Sequence, residues 1–436
     1  MRTTAGRRQT KKCSDWWQAV TLIQESIFNN AGKVPALQGF DPQFLAVTGS
    51  RCQYLFYGVL RNLCQIDAAL ERLCARPPRA GLKAVLRVAA FEIISAGGET
   101  GRIPRVIDHA VGEVKAAFSK GESGMVNAVL RKMGSALREV LEAHPALDGT
   151  GLSIHFNHPE WLVERWLRRW GLATTIRFLE WNQMEPDTFV CLRERVKPPA
   201  GLESTEFRHF FRVCGEPGWE AAKALAAEGR AYFQDPGTRL APAACEGGKG
   251  MRILDLCSAP GGKAWQLSER PPGELVCVDR PPRGGGHRYR QWTENLDRLR
   301  GKIRRVEGDL SRGDLDKILE GSGMEGGFDR VLVDVPCSNT GVIRRRPEVP
   351  WRLEPGQFCR YAESQRKFLE VAAGQVKTGG RLVYSTCSVE EEENEEVAEA
   401  FTTGAGGRFE RLSARVVLPW EAGHDGAGIF SWKRVG

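Results

Sequence analysis

The feature that most constrains this chain is a change of grammar near residue 250. From there on, short apolar runs end in a small or acidic residue and hand over to a helical segment. Ile253-Leu254-Asp255-Leu256 enters a glycine-bearing turn and a helix. Glu274 to Val278 ends at Asp279, Val306 precedes Gly308-Asp309, and Phe328 to Val333 ends at Asp334. Arg381 to Tyr384 supplies a further strand. Apolar strands alternating with helices point to a doubly wound, Rossmann-like α/β sheet. In such sheets ligands sit beyond the carboxyl ends of the strands, and the chemically suggestive residues of this chain lie just after strands.

Upstream the pattern is helical. Leu55, Val59, Leu63 and Ile66 mark a helix face within Arg51 to Leu70, and Leu82 to Ile94 is a strongly apolar helix. After the GGETGRIP turn, Val106 to Phe118 and Gly124 to Leu137 continue the pattern without strand alternation. Residues 15–145 are therefore expected to form an all-α domain behind a basic arm, residues 1–14. Residues 146–245 read as a small mixed α/β connector. In it, His158-Pro159-Glu160 opens a helix whose Trp161, Leu162, Trp166 and Trp170 share one apolar face, and Phe189 to Arg193 forms a short strand. Residues 246–436 make the α/β domain.

Sixty-two basic against 54 acidic residues, a net charge of +8, favour an anionic partner but do not separate an RNA binder from an ordinary basic enzyme. No apolar run approaches the roughly 18 residues of a membrane span. The N-terminus lacks an apolar signal core, so a cytoplasmic protein is expected. Twelve cysteines without a Cys-x-x-Cys pair argue against a zinc site and, with no secretory signal, against a disulfide framework. Nothing in the sequence demands more than a monomer.

The turn Cys257-Ser258-Ala259-Pro260-Gly261-Gly262-Lys263 follows the first strand and opens a helix. Its small residues let the backbone approach a ligand closely, and the helix start offers free N–H groups. Asp279, ending the next strand, is placed for the two hydroxyls of a ribose, and Asp309 for an adenine edge. The turn is neither Gly-x-Gly-x-x-Gly nor a phosphate-binding P-loop.

Two cysteines occupy strand-end loops of the same sheet: Cys337 in Asp334-Val335-Pro336-Cys337-Ser338-Asn339-Thr340-Gly341, and Cys387 in Tyr384-Ser385-Thr386-Cys387-Ser388. Carbon 5 of cytosine is a poor nucleophile until a thiolate adds to carbon 6 and turns the ring into an enamine. That addition needs acid assistance at ring nitrogen 3, for which Asp334 is a candidate, with Lys263 nearby to fix the base. The thiol itself needs an activating environment, and the base must leave its stack. Spacing alone does not say which cysteine attacks.

The strings LDLCSAPGGK, VDVPCSNTGVIRRRPEVPW and LVYSTCSVEEEENE resemble the NOL1/NOP2/Sun family of S-adenosylmethionine-dependent RNA cytosine-5 methyltransferases. The whole chain, from about 15 to 435, is similar to the family's bacterial small-subunit ribosomal RNA branch, which carries an N-terminal domain like the antitermination factor NusB. YGVLRNLCQIDAAL and RIPRVIDHAVGEVKAAFSKGESGMVNAVLRKM look like that RNA-binding domain. FNHPEWLVERWLRRWG and FQDPGTRLAPAAC look like the connector, and HDGAGIFSWKRV like the closing strand. The resemblance implies that Cys387 is the nucleophile, that Cys337 helps release the methylated product, and that Asp334 is the active-site acid and also lies against the cofactor. Cys257 to Lys263, Asp279 and Asp309 match the S-adenosylmethionine contacts, and the implied substrate is 16S ribosomal RNA.

The chain departs from the family pattern in three places. Arg280-Pro281-Pro282-Arg283-Gly284-Gly285-Gly286 stands where a helix usually follows, Asn339 replaces a common glycine, and Leu310 follows Asp309. Asparagine tolerates left-handed backbone angles, so the turn at Asn339 is expected to survive. Arg344-Arg345-Arg346, close behind the Pro-Cys loop, are expected to contact RNA phosphates. Glu390 to Glu396 is expected to open a helix, its carboxylates in the first turn, with no catalytic role. Transfer RNA is the alternative substrate, and a non-catalytic RNA-binding assembly factor the alternative class. A DNA cytosine-5 methyltransferase would attack with Cys337 and need a downstream Glu-Asn-Val motif, which is absent.

Overall fold

The structure, a computed structural model, describes residues 14–28, 36–37, 48–97, 101–270, 272–281, 286–299, 301–313, 315–324 and 327–436. The basic arm up to residue 13, residues 98–100 of the GGETGRIP turn and residues 282–285 of the stretch after Asp279 lie outside the described residues. The chain divides into two compact units, 1–183 with 350–353, and 184–349 with 354–436.

The first unit is helical. Up to residue 145 its helices are Asp15–Ser26, Ser50–Leu60, Leu63–Leu73, Ala80–Ser95, Arg102–Ala117 and Lys120–Glu142 among the described residues. They bury one contiguous core that includes Trp16, Phe56, Val85, Leu130 and Met133. Lys120–Glu142 starts on a capping box in which Ser119 and Glu122 satisfy each other's backbone amides. The expected single face from Arg51 to Leu70 is two helices, broken at Arg61 and Asn62. Asn157 supplies the bonds that the break leaves open. Its Nδ2 donates to Leu60 O at 2.7 Å, and its Oδ1 accepts from Cys64 N at 2.8 Å.

Helical structure continues past residue 145, in Gly149–Phe156 and Glu160–Gln183. Gln65 Nε2 donates to His155 O at 2.8 Å and ties this stretch to the helical unit. The compact division therefore falls after Gln183, later than the boundary expected at 145/146. Leu162 and Trp166 of the apolar face are buried while Trp161 and Trp170 are half-buried. The Trp166 ring packs 4.6 Å from Phe178 and 5.7 Å from His158. Gly171, at φ 73°, kinks the helix.

The second unit holds two sheets. A four-stranded antiparallel sheet comprises β1 (Phe189–Leu192), β2 (Leu202–Ser204), β3 (Phe210–Val213) and β4 (Ala231–Phe233) in the order β2-β3-β1-β4. The larger sheet comprises β5 (Arg252–Leu256), β6 (Glu274–Asp279), β7 (Ile303–Glu307), β8 (Phe328–Asp334), β9 (Val376–Thr386), β10 (Phe409–Val417) and β11 (Ala427–Arg434), in the order β10-β11-β9-β8-β5-β6-β7. Strands β5 to β9 run parallel, whereas β11 is antiparallel to both β9 and β10. The expected doubly wound sheet is present, with an antiparallel edge pair. β6 and β7 extend the sheet on one side of β5, and β8 lies on the other. The order thus reverses between β5 and β8, which is where such sheets bind ligands.

Among the described residues no helix is long and apolar enough to cross a membrane, and no group of His, Cys, Asp and Glu is arranged to hold a metal.

Candidate active site

The 257–263 turn leaves β5 at this reversal. Cys257, at φ 59°, and Gly261, at φ 103°, take left-handed conformations. At Gly261 that angle calls for glycine, and a Cβ on Gly262 would stand 3.1 Å from Gln234 Oε1. Ala259 N donates to Asp279 Oδ2 at 2.7 Å, and Arg288 Nη2 to Ala259 O at 2.6 Å. Asp279 thus braces the turn from the next strand. Asp309 caps its own short helical turn, where hydrogen bonds from Ser311 hold its carboxyl below the usual range.

A cleft of about 470 Å³ opens beside the turn. Its lining includes Asp255, Ser258, Lys263, Asp334, Gln234 and Asn295, but neither Asp279 nor Asp309. Asp255 is fully buried, its carboxyl oxygens have no hydrogen-bond partner within bonding geometry among the described residues, and burial raises it to about 7, the nearby Ser258 hydroxyl offsetting part of the shift. An uncompensated carboxyl in the cleft lining suits a cationic ligand. S-adenosylmethionine, with its sulfonium and ammonium, has that chemistry, so the residues fit the expected cofactor.

Lys263 Nζ donates to Asp334 Oδ2 at 2.6 Å, and Ser385 Oγ to Asp334 Oδ1 at 3.1 Å. Burial works against the Lys263 charge, but the Asp334 carboxylate outweighs it and the ammonium is held above its ordinary range. The Pro-Cys loop after β8 and the Thr-Cys loop after β9 bring Cys337 Sγ to 3.0 Å from Cys387 Sγ, and Cys387 N donates to Cys337 Sγ at 3.3 Å. Cys337 is 5% exposed. The hydrogen bond to Cys387, together with burial, pushes its thiol well up. Asn339, at φ 66°, keeps the left-handed turn that glycine would make.

Two charged runs have more enclosed surroundings than their sequence suggests. Of the three arginines, Arg344 is buried and Arg345 is enclosed. Arg345 donates from Nη2 to Asp235 Oδ2 at 2.6 Å, from Nε to Asp425 Oδ2 at 2.9 Å and from Nη1 to Asp187 O at 2.6 Å. Its cation is matched by two carboxylates in this structure. Arg346 is the exposed one, 3.5 Å from Glu348. Second, only Glu395 and Glu396 of the run from Glu390 lie in the first helical turn. The helix starts at Glu395, and Glu390, Glu393 and Asn394 are each 0% exposed.

Sequence reasoning missed what these residues do. Glu393 Oε2 accepts from Ser338 N and Gln365 Nε2, both at 2.9 Å, and its Oε1 accepts from Ser388 Oγ at 2.7 Å. One carboxyl thereby ties together the loops that carry the two thiols. Asn394 accepts from Thr386 Oγ1 at 2.7 Å and donates to Ser388 O at 3.0 Å. The available signal was a serine following each cysteine; nothing local paired those serines with a glutamate.

Two family patterns match the chain: 16S rRNA methyltransferase RsmB/F over residues 242–406, and the NusB family over residues 24–135. The chain is 31% identical over 405 residues to the ribosomal RNA small subunit methyltransferase B of Vibrio cholerae, covering 86% of this chain and 87% of that protein. The chain belongs to the RsmB/F family of 16S rRNA methyltransferases. A further RsmB relative, the probable ribosomal RNA small subunit methyltransferase B of Bacillus subtilis, is 30% identical over 367 residues, covering 80% and 78% of the two chains. The fold of the RsmB/F chain is shared with the crystal structure of PH0851, at a TM-score of 0.73 and 19% identity over 96% of this chain and 98% of that one.

Proposed function

We infer that the chain methylates carbon 5 of a cytosine in 16S ribosomal RNA, with Cys387 as nucleophile. The observation that carries this reading is the meeting of two thiols, 3.0 Å apart, and a Lys263–Asp334 pair at 2.6 Å on the carboxyl edge of one sheet.

The 257–263 turn, with Asp255 and Asp334, would hold S-adenosylmethionine, which would supply an electrophilic methyl group and leave as the neutral thioether. Asp279 and Asp309 support this site from the ends of their strands. Cys387 Sγ, as thiolate, bonds to carbon 6 of the cytosine. The displaced electron pair makes carbon 5 nucleophilic, and ring nitrogen 3 takes a proton from the Lys263–Asp334 pair. Once the methyl is on carbon 5, a base takes the carbon 5 proton, the carbon 6–sulfur bond breaks with its electron pair staying on Cys387 Sγ, and nitrogen 3 returns its proton to the Lys263–Asp334 pair, which restores the ring. Cys337 is held as a protonated thiol beside that sulfur and hydrogen-bonds it as it departs. Arg346 is the member of the arginine run available to a phosphate, and a single chain supplies every group named.

The test combines purified protein, S-adenosylmethionine and undermethylated 16S RNA, with 5-methylcytosine mapped by bisulfite sequencing. Wild type is expected to methylate and Cys387→Ala to be silent. Cys337→Ala is expected to accumulate a covalent protein–RNA adduct. Methylation by Cys387→Ala but not by Cys337→Ala would reverse the assignment of the nucleophile.

A further inference from the structure

Asn339 lies in the Pro-Cys loop, yet its side chain is spent on both cysteines. Cys387 Sγ donates to Asn339 Oδ1 at 3.0 Å, while Asn339 Nδ2 donates to Cys337 O at 2.8 Å. The backbone at φ 66° directs the short side chain back across its own loop. This conformation is open to asparagine, aspartate and glycine, and costly for most other residues. The two bonds fix which end of the amide faces the sulfur. Nδ2 is committed to a carbonyl that can only accept, so the oxygen points at Cys387.

An amide oxygen at that distance suits an S–H donor and opposes a thiolate, since two electron-rich atoms would then face each other. For Cys387 to ionise, Asn339 has to turn away, or rotate so that Nδ2 meets the sulfur and gives up its bond to Cys337 O. Every other contact of the loop, including the bond from Ser338 N to Glu393, is independent of that amide.

We propose that Asn339 is a positioning residue that holds Cys387 as an oriented, protonated thiol in the resting enzyme and releases it when substrate enters. The proposal rests on the reading of Cys387 as nucleophile for its place in the reaction, although the hydrogen bond itself does not. Three groups face the Cys387 sulfur: the Asn339 amide oxygen opposes its ionisation from the Pro-Cys loop, the Cys337 thiol stands 3.0 Å away, and the Lys263 ammonium acts on it from the cofactor turn and favours the thiolate; removing the amide should therefore move the pH range in which the first step is fast.

The test is the rate at which Cys387 is alkylated by iodoacetamide in the full-length protein. In that reaction a thiolate displaces iodide and forms a carbon–sulfur bond. The label is read peptide by peptide by mass spectrometry between pH 6 and 9, alongside single-turnover methylation over the same range. Asn339→Gly keeps the left-handed turn and removes the amide. It is expected to speed labelling of Cys387 at neutral pH by about three- to tenfold, the factor a single hydrogen bond is worth, and to move both pH profiles to lower pH. Asn339→Asp keeps the shape and places a carboxylate beside the sulfur. It is expected to slow labelling and move the profiles to higher pH. Equal labelling in wild type and Asn339→Gly overturns the proposal. So does faster labelling in both variants, because a loosened loop would then explain the effect. Labelling that responds as expected while Cys387→Ala still methylates keeps the hydrogen bond and removes the nucleophile reading, so the two fail separately.

Discussion

Replacing Glu393 tests whether the two thiol loops are held by one buried carboxyl. In Glu393→Ala the Ser338 amide loses its acceptor, while Gln365 Nε2 keeps Pro336 O and Ser388 Oγ keeps the hydroxyls of Ser338 and Thr340. A buried donor without a partner costs about 1–3 kcal/mol, and the loss is expected in that range. At tenfold per 1.4 kcal/mol, exchange of the Ser338 amide should quicken by roughly five- to a hundredfold. Glu393→Gln keeps an acceptor oxygen for Ser338 and Gln365, and Ser388 can turn its hydroxyl to accept from the new amide. Its cost is expected to stay within about 1 kcal/mol. Burial raises the Glu393 carboxyl above the ordinary glutamate value of 4.5, with the hydrogen bonds from Ser338, Ser388 and Gln365 offsetting part of the shift. A raised carboxyl favours the fold below the unfolded value and loses that contribution as pH rises through the folded one. Stability relative to Glu393→Gln should therefore fall as the pH rises above 4.5. Hydrogen-exchange mass spectrometry on peptides covering 336–341 and 385–389, with urea denaturation beside it, reads both effects. Wild-type protection of Ser338 in Glu393→Ala would refute the reasoning.

Three further outcomes follow from single contacts. Arg345→Met leaves Asp235 and Asp425 buried without their cation; a loss of about 3–5 kcal/mol is expected in urea denaturation, and a change below 1 kcal/mol would mean that water already serves these carboxyls. His158 is buried and held neutral, lowered from 6.5 to about 4 by desolvation. The unfolded chain binds its proton first, so the helical unit should lose stability as pH falls from 6.5 toward 4, by up to about 3 kcal/mol, and His158→Asn should lack that share of the pH slope. Gly58→Ala puts a Cβ 2.0 Å from Phe91 Cζ. Thermal unfolding should report about 1–3 kcal/mol of overpacking, and an unchanged melting temperature would show that the Phe91 ring moves freely.

What the sequence disclosed and what it hid divide by the range of the interactions. The turn after β5 and the loops after β8 and β9 were legible because each is a local event: an apolar strand, then small residues or a Pro-Cys or Thr-Cys step. The boundary after Gln183 was not, because it is set by Gln65 and Asn157 reaching across about ninety residues of chain. β2, β3, β4 and β10 passed unread: three of them are only three or four residues long, and β10 is exposed at six successive positions from Glu410 to Arg415.

The charged runs misled for a related reason. A string such as Glu390 to Glu396 reads as a helix start, where carboxylates are favoured, and nothing local shows that buried partners arrive from elsewhere. Glu393 finds them 55 and 28 residues away, at Ser338 and Gln365, and Arg345 finds Asp235 110 residues away. Each of these polar anchors joins a loop of the site to a distant segment. On the proposed reading, a thiol that adds to carbon 6 has to be held in place before substrate arrives, and polar cross-links between the two strand-end loops serve that end. Glu393, which looked least like part of a reaction site, is therefore the group that ties the two thiol-bearing loops to each other.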